Sequence, residues 1–261
     1  MAVKIGIIGG SGVNDPRLFK DVKKIKVHTP YGATSDLITA GKFKGRDVFF
    51  IPRHGSNHTI NPSNINYRAN IYAMKKLGVT HILAPAAVGS LNEGMKPGDF
   101  VFTDQFIDRT YKRETTFYTG SKVCHISVAE PCCPVLRKML SREAKRLGFN
   151  YHERGTCVVI EGPRFSTKAE SNIFRSWNAD IIGMTMTPEV VLAREAEICY
   201  ATIAMITDYD VWRDSEVSGE EVAATMKNNI EKLKKLLSEI IPKIPEERIC
   251  SCKNALQGAF L

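Results

Sequence analysis

The sequence predicts one α/β domain, a mixed β-sheet flanked by helices. Short apolar runs suited to buried strands recur along the chain and alternate with segments of helical periodicity. Several of these runs stop abruptly in glycine, small or polar residues, and in open α/β folds that is where ligands bind. No linker-like shift in composition, internal repeat or low-complexity segment divides the 261 residues, a length that suits one large domain or two small ones. Hydrophobic residues at 43% and charged residues at 25% are ordinary for a globular protein with a sizeable core.

The first run, Val3 to Ile8, leads into Gly6-Ile-Ile-Gly-Gly-Ser-Gly12. A glycine cluster after a first strand can turn backbone N–H groups toward an anion, or can be a tight turn that needs positive φ. The dinucleotide fingerprint fails at Asp15, and no Lys-Ser/Thr follows to make a P-loop. The hydroxyl of Ser11 favours phosphate. The second run, Val48 to Pro52, enters Arg53-His-Gly55. A planar guanidinium can grip an oxyanion with its fork, and His54 adds a second donor. Asn66 to Leu77 reads as a helix, and His81 to Ser90 as a strand whose Ala86, Ala87 and Gly89 leave the backbone open to a ligand.

Lys96 to Asp99 is a turn, Phe100 to Asp104 a strand, and Gln105 to Gly120 polar and irregular. Pro134 to Leu147 is a helix with proline in its first turn and Gly148 as its stop. Gly155 to Ile160 is a strand entering Glu161-Gly-Pro-Arg-Phe-Ser166. There Phe165 either stacks on a flat ring or plugs the core. Ser166 or Thr167 caps a helix to about Trp177. Met184, Thr185 and Met186 end another strand, and Glu189 to Ala196 is a short helix. Tyr200 to Ile206 is a buried strand that ends in Thr207-Asp-Tyr-Asp210. In extended backbone Asp208 and Asp210 face the same side, so both can address one ligand; the other reading of the pair is a turn or helix N-cap. Ser218 and Glu221 form a capping box for a long helix with Val222, Met226, Ile230, Leu233, Leu237 and Ile241 on its apolar face, which is read as core.

The formal net charge is +8, yet the densest basic group is only Lys20, Lys23, Lys24 and Lys26. No Lys/Arg run carries interleaved aromatics, so an anionic small substrate suits the charge better than nucleic acid. No run of about 18 apolar residues exists to span a membrane. The N-terminus enters a strand directly and lacks the pattern of a signal peptide, so a cytoplasmic location is expected. The seven cysteines show no Cys-x-x-Cys with matching His spacing, so no metal site is expected. They read either as scattered buried thiols or as structural disulfides of the kind hyperthermophiles keep inside the cell. No nucleophilic Ser or Cys has a convincing neighbouring base. A carboxylic acid opposite a phosphate site suggests phosphate attacking a carbon while the acid helps a basic leaving group depart.

The motifs Gly6–Gly12, Arg53-His-Gly55, Asn66-Tyr-Arg-Ala-Asn70, Gly98-Asp99, Asp104–Thr110, Ile160–Ser166, Met184–Ala193 and Thr207–Asp210, in this order, resemble the trimeric purine nucleoside phosphorylase family. The resemblance covers about residues 3 to 242, with residues 243–261 a Cys-Ser-Cys tail of the same domain. It implies the nucleoside phosphorylase fold, with a twisted, partly barrel-like sheet. It also implies reversible phosphorolysis of 5′-methylthioadenosine to adenine and 5-methylthioribose 1-phosphate, with a broad or 6-oxopurine nucleoside phosphorylase as the alternative. No cofactor is implied; phosphate is a co-substrate. By the resemblance Ser11, Arg53, His54, Ala86, Ala87 and Thr185 bind phosphate. Ala86 stands where relatives often have Thr, so a side-chain donor is lost there. Met184 lies under the ribose, and Phe165 and Ser166 border the base. Asp208 hydrogen-bonds purine N7 as the general acid, and Asp210 receives the 6-amino group. Relatives specific for 6-oxopurines tend to carry Asn at the position of Asp208, so the carboxylate pair argues for adenine. Val217, Val222 and His125, the last from a neighbouring subunit, form the methylthio pocket. The resemblance further implies a homo-oligomer, either a trimer or a hexamer built as a dimer of trimers. It implies a thermostable type with Cys250 paired to Cys252, and Cys132 or Cys133 to Cys199.

Overall fold

The structure, a computed structural model, describes residues 3–10, 20–213 and 219–260. Ser11, Val217 and the Ser218 capping box lie outside them.

Eleven strands form one mixed sheet. The strands β1 (Lys4–Gly9), β4 (Arg46–Pro52), β5 (His81–Ser90) and β11 (Cys199–Asp208) are parallel at its centre. All ten residues of β11 are buried, which is why it reads as a continuous apolar run rather than an alternating one. Next to β4 lie β3 (Ile38–Phe43) and then the edge strand β2 (Lys20–Ile25), both antiparallel. The lysine-rich group is this β2 edge, where exposed charge discourages pairing with another chain. Beyond β5, β10 (Ile181–Gly183) pairs antiparallel, followed by β9 (Thr156–Ile160) and β7 (Gln105–Arg109) in parallel. The stretch expected to be irregular therefore begins with an edge strand, whose mostly exposed polar residues hide it. The expected strand at Phe100–Asp104 is reduced to β6 (Phe100–Val101), which joins β11 to β8 (Tyr151–His152).

Among the described residues, four of the five α-helices form two covers over the sheet. One cover is α1 (Tyr67–Lys76) with α4 (Met186–Glu195), and the other is α2 (Pro134–Arg146) with α5 (Gly219–Ile240). Local chemistry sets their ends. The Asn66 side chain accepts from Ala69 N and caps α1. Pro134 opens α2, and Gly148 at φ +70° follows its end. In α3 (Lys168–Ser176) Thr167 and Glu170 form a reciprocal capping box. The apolar face of α5 divides: Leu233, Leu236, Leu237 and Ile240 are buried in the core, each worth about 1.5–3 kcal/mol. Its first turns, with Val222, Met226 and Ile230, instead face a cavity.

The tail returns to this second core through Ile244, Cys250 and Cys252. The seven cysteines stand as free thiols, with no bond closed between the sulfurs. The Sγ atoms of Cys133, Cys199, Cys250 and Cys252 nevertheless lie within 4.8 Å of one another, with Cys199 and Cys250 at 3.3 Å. Of the two neighbours Cys132 and Cys133, it is Cys133 that joins Cys199. No described helix is long and apolar enough to cross a membrane.

Candidate functional site

The sheet is incomplete along one edge of β5. One edge pairs with β11 from His81 to Gly89. On the other, β1 pairs only with His81 to Leu83, and β10 only with Gly89 and Ser90. Among the described residues no strand pairs that edge from Ala84 to Val88. A cavity of about 620 Å³ opens there. Ala87 is consequently exposed although it sits on a central strand.

The sequence-predicted residues that line the cavity are Arg53, His54, Ala86, Ala87, Phe165, Ser166, Met184, Thr185, Asp208, Asp210 and Val222. His125 does not. It is exposed, and its N–H donates to Ala259 O in the tail. A smaller cavity of about 310 Å³, bordered by Arg109, Tyr111 and Trp177, holds none of them.

Arg53 does not offer its fork to the cavity. Its Nε donates to Glu189 Oε2 at 2.8 Å and its Nη2 to Glu189 Oε1 at 2.9 Å. Nη2 also donates to Ile8 O and Nη1 to Pro85 O, which occupies four of the five N–H groups of a guanidinium. One Nη1 hydrogen is left without a partner among the described residues. Burial works against the charge of Arg53, but the Glu189 carboxylate outweighs it, so the pKa stands above its usual value. His54 is not the expected ring donor. Its Nδ1 lies 2.8 Å from Ile60 O, which requires hydrogen on Nδ1. Burial, reinforced by the Arg53 charge, lowers its pKa to about 4, so the ring is neutral and Nε2 is an acceptor. Thr185 stands at the N-cap of α4, yet its hydroxyl makes no capping bond and stays available to a ligand. Met184 and Thr185 follow β10 rather than end it, and Met186 already opens α4.

At the other end, Asp208 is the last residue of β11. Its Oδ1 accepts from Asp210 N at 2.8 Å and its Oδ2 from Thr207 Oγ1 at 2.7 Å, which fixes its plane. The Thr207 hydroxyl also reaches Val88 O at 3.2 Å. With one hydrogen and two acceptors it can serve either protonation state of Asp208: donor to the carboxylate, or acceptor from the acid while donating to Val88 O. Asp210 reaches the cavity differently from expectation. It lies past the strand, in a left-handed turn at φ +51°, after a register shift between Ile206 and Asp208. Its Oδ2 is buried, and the side chain beside it is the Ser171 hydroxyl. Burial raises the pKa of Asp210, the Ser171 hydroxyl works against the rise, and the Asp208 charge adds to it. Ser166 Oγ is buried and unpaired.

Two glycines make room. A Cβ on Gly89 would stand 2.8 Å from Asp208 Oδ1, and one on Gly162, at φ +64°, 2.5 Å from Met184 Sδ. Arg113 ties the loops together: Nη1 donates to Met184 O and Thr187 O, and Nη2 to Glu161 O. Sequence reasoning missed Glu189 and Arg113, whose partners are distant in the chain or main-chain atoms, and Thr207, whose hydroxyl is aimed at its neighbour Asp208 only by the local backbone.

The arrangement sets a carboxylate pair across a cavity of nucleoside size from an arginine, open strand backbone and an uncommitted hydroxyl at a helix start. Residues 4–242 match the family described as the Phosphorylase superfamily. The chain belongs to the phosphorylase superfamily. Within this superfamily it is 56% identical over 259 residues to the S-methyl-5′-thioadenosine phosphorylase of Thermofilum pendens, covering 99% of both chains. It is 55% identical to the protein of that name from Saccharolobus solfataricus, covering 98% and 97%. Among solved superfamily structures it resembles a methylthioadenosine phosphorylase from an antarctic soil metagenomic library, with a TM-score of 0.95 and 42% identity over 100% of this chain and 93% of that one. It also resembles the Schistosoma mansoni methylthioadenosine phosphorylase in complex with adenine, with a TM-score of 0.93 and 39% identity over 98% of each chain.

Proposed function

We infer that this chain catalyses the reversible phosphorolysis of 5′-methylthioadenosine to adenine and 5-methylthioribose 1-phosphate. The observation that carries the reading is the carboxylate pair of Asp208 and Asp210 facing the open edge of β5 across one cavity. Relatives of the same printed name, near 55% identity over the whole chain, support it.

Each residue then has a task. Phosphate lies along the β5 gap and takes hydrogen bonds from the main chain of Ala86 and Ala87, the Thr185 hydroxyl, Ser11 and the remaining Arg53 hydrogen. His54 contributes through its main-chain N–H, because its ring has only an acceptor to offer. The purine lies at the Asp208 end beside Phe165 and Ser166, with Met184 beneath the ribose. A phosphate oxygen attacks C1′ as the N-glycosidic bond breaks, and the bonding electrons move onto the purine. Asp208 gives a proton to N7, which makes the base a neutral leaving group. Asp210 Oδ2 accepts from the 6-amino group. The phosphate dianion stabilises the cation-like sugar and then captures it.

The methylthio group sits against Val217 and Val222, with His125 supplied by a neighbouring copy in a trimer or in a hexamer of paired trimers. The exposure of His125 beside exposed Val123 and Phe260 supports that placement; a monomeric sedimentation mass would remove it. The four clustered sulfurs suit closure into two pairs, Cys133 with Cys199 and Cys250 with Cys252, in a thermostable protein. With four of the seven thiols paired, denatured, unreduced protein shows three reactive thiols; a count of seven refutes the pairing.

Initial rates of phosphate-dependent base release from methylthioadenosine, adenosine and inosine test the substrate. We expect methylthioadenosine to be fastest. Faster turnover of inosine overturns the adenine reading, and release without phosphate overturns phosphorolysis.

A further inference from the structure

Glu189 lies in the Met184–Ala193 motif and has no assigned task, yet it is fully buried. A buried carboxylate is expensive unless it is paired and hydrogen-bonded. Here both oxygens are taken. Oε2 accepts from Arg53 Nε and Oε1 from Arg53 Nη2, a side-on pair that fixes the guanidinium plane. The Tyr200 hydroxyl, from β11, donates to Oε1 at 2.8 Å.

We propose that Glu189, braced by Tyr200, is a positioning residue of the phosphate site: it fixes Arg53 so that the remaining Nη1 hydrogen meets the anion. The inference rests on the reading of the β5 gap as the phosphate site. Four observations lead to it. Arg53 is itself buried and touches three separate elements, β1, β5 and α4. Its side chain therefore has one orientation before the ligand arrives, and the cost of ordering a long flexible arm is not charged to binding. Glu189 also cancels the arginine charge, so the anion is held by directed N–H groups rather than by net charge. Thr185 stands at the start of α4 and Glu189 just past its kink at Thr187, so the arginine's partner and the hydroxyl come from one short stretch of chain.

The two roles of Glu189, charge and aim, are separable. Glu189→Asp keeps the charge but shortens the arm and loses the side-on fork. We expect its KM for phosphate to rise roughly 10- to 100-fold, as for a lost charge-assisted bond. Its KM for methylthioadenosine and its kcat at saturating phosphate should stay within about threefold. Tyr200→Phe removes only the brace and should raise the phosphate KM by roughly two- to fivefold, on the scale of one neutral hydrogen bond. If Glu189→Asp fails to fold, Tyr200→Phe decides. An unchanged phosphate KM in the folded variants overturns the proposal. So does a parallel change in both KM values and kcat, which marks general damage. Arg53→Ala separates this failure from failure of the underlying reading. If Arg53→Ala raises the phosphate KM while Glu189→Asp and Tyr200→Phe do not, only the positioning role falls. If Arg53→Ala has no effect either, the assignment of the phosphate site falls with it.

Discussion

At the Arg53 end of the cavity the charged groups answer one another: the guanidinium meets Glu189, Ile8 O and Pro85 O, and the Tyr200 hydroxyl completes the set. At the Asp208 end the polar groups are left short: Ser166 Oγ is buried with no hydrogen bond, and Asp210 Oδ2 has only the Ser171 hydroxyl beside it. An unpaired buried polar group costs about 1–3 kcal/mol. At the Arg53 end the open donor is a single Nη1 hydrogen of an otherwise satisfied guanidinium. On the proposed reading, the phosphate end is therefore largely assembled before its ligand comes. The base end, on the same reading, relies on the ligand to complete it, and so tells one purine from another by which groups it leaves unpaired.

Three measurements test that contrast. Asp208→Asn should have the largest effect, because it removes the proton donor and leaves the shape. We expect kcat on methylthioadenosine to fall by roughly 10²–10⁴, or about 3–5 kcal/mol in barrier, with unchanged circular dichroism and an unchanged phosphate KM. Near-normal turnover contradicts the general-acid role. Asp210→Asn should alter choice more than rate. The kcat/KM ratio of adenosine to inosine should fall by roughly 10- to 100-fold, about 1.4–2.8 kcal/mol. A phosphate KM that moves equally would mean that the two ends are not separate.

The smallest effect concerns stability. Burial raises the Asp210 pKa in the folded protein. The native state therefore holds that proton more tightly than the unfolded chain, and ionisation costs stability as pH rises through the folded pKa. Unliganded Asp210→Asn should be more stable than the parent by roughly 1 kcal/mol at neutral pH. That gain should shrink as pH falls through the folded pKa toward the ordinary carboxylate range. Denaturant midpoints at both pH values check it, and a gain that grows on acidification refutes it.

Much of this site is legible in the sequence because it is built at strand ends. Arg53 follows β4, Asp208 ends β11, and Ala86 and Ala87 lie on β5, so each is announced by an apolar run that stops. Two kinds of feature are not legible. Edge strands β2 and β7 lack the apolar signature, since their residues face water. Pairings across the fold are silent as well: Arg53 and Glu189 are 136 residues apart, and nothing local to either names the other. The same holds for the His54 ring, whose donor is committed by Ile60 O, and for Asp210, whose left-handed turn follows a register shift.

The open edge of β5 also bears on stability. A strand edge without a neighbour is a template on which another chain can pair. On the proposed reading, phosphate in that gap acts as a missing piece of the sheet. Any ligand that binds only the folded state raises stability by mass action, about 2.7 kcal/mol at one hundred times its Kd. On the proposed reading the co-substrate is then also a stabiliser, and the unfolding midpoint should rise with added phosphate.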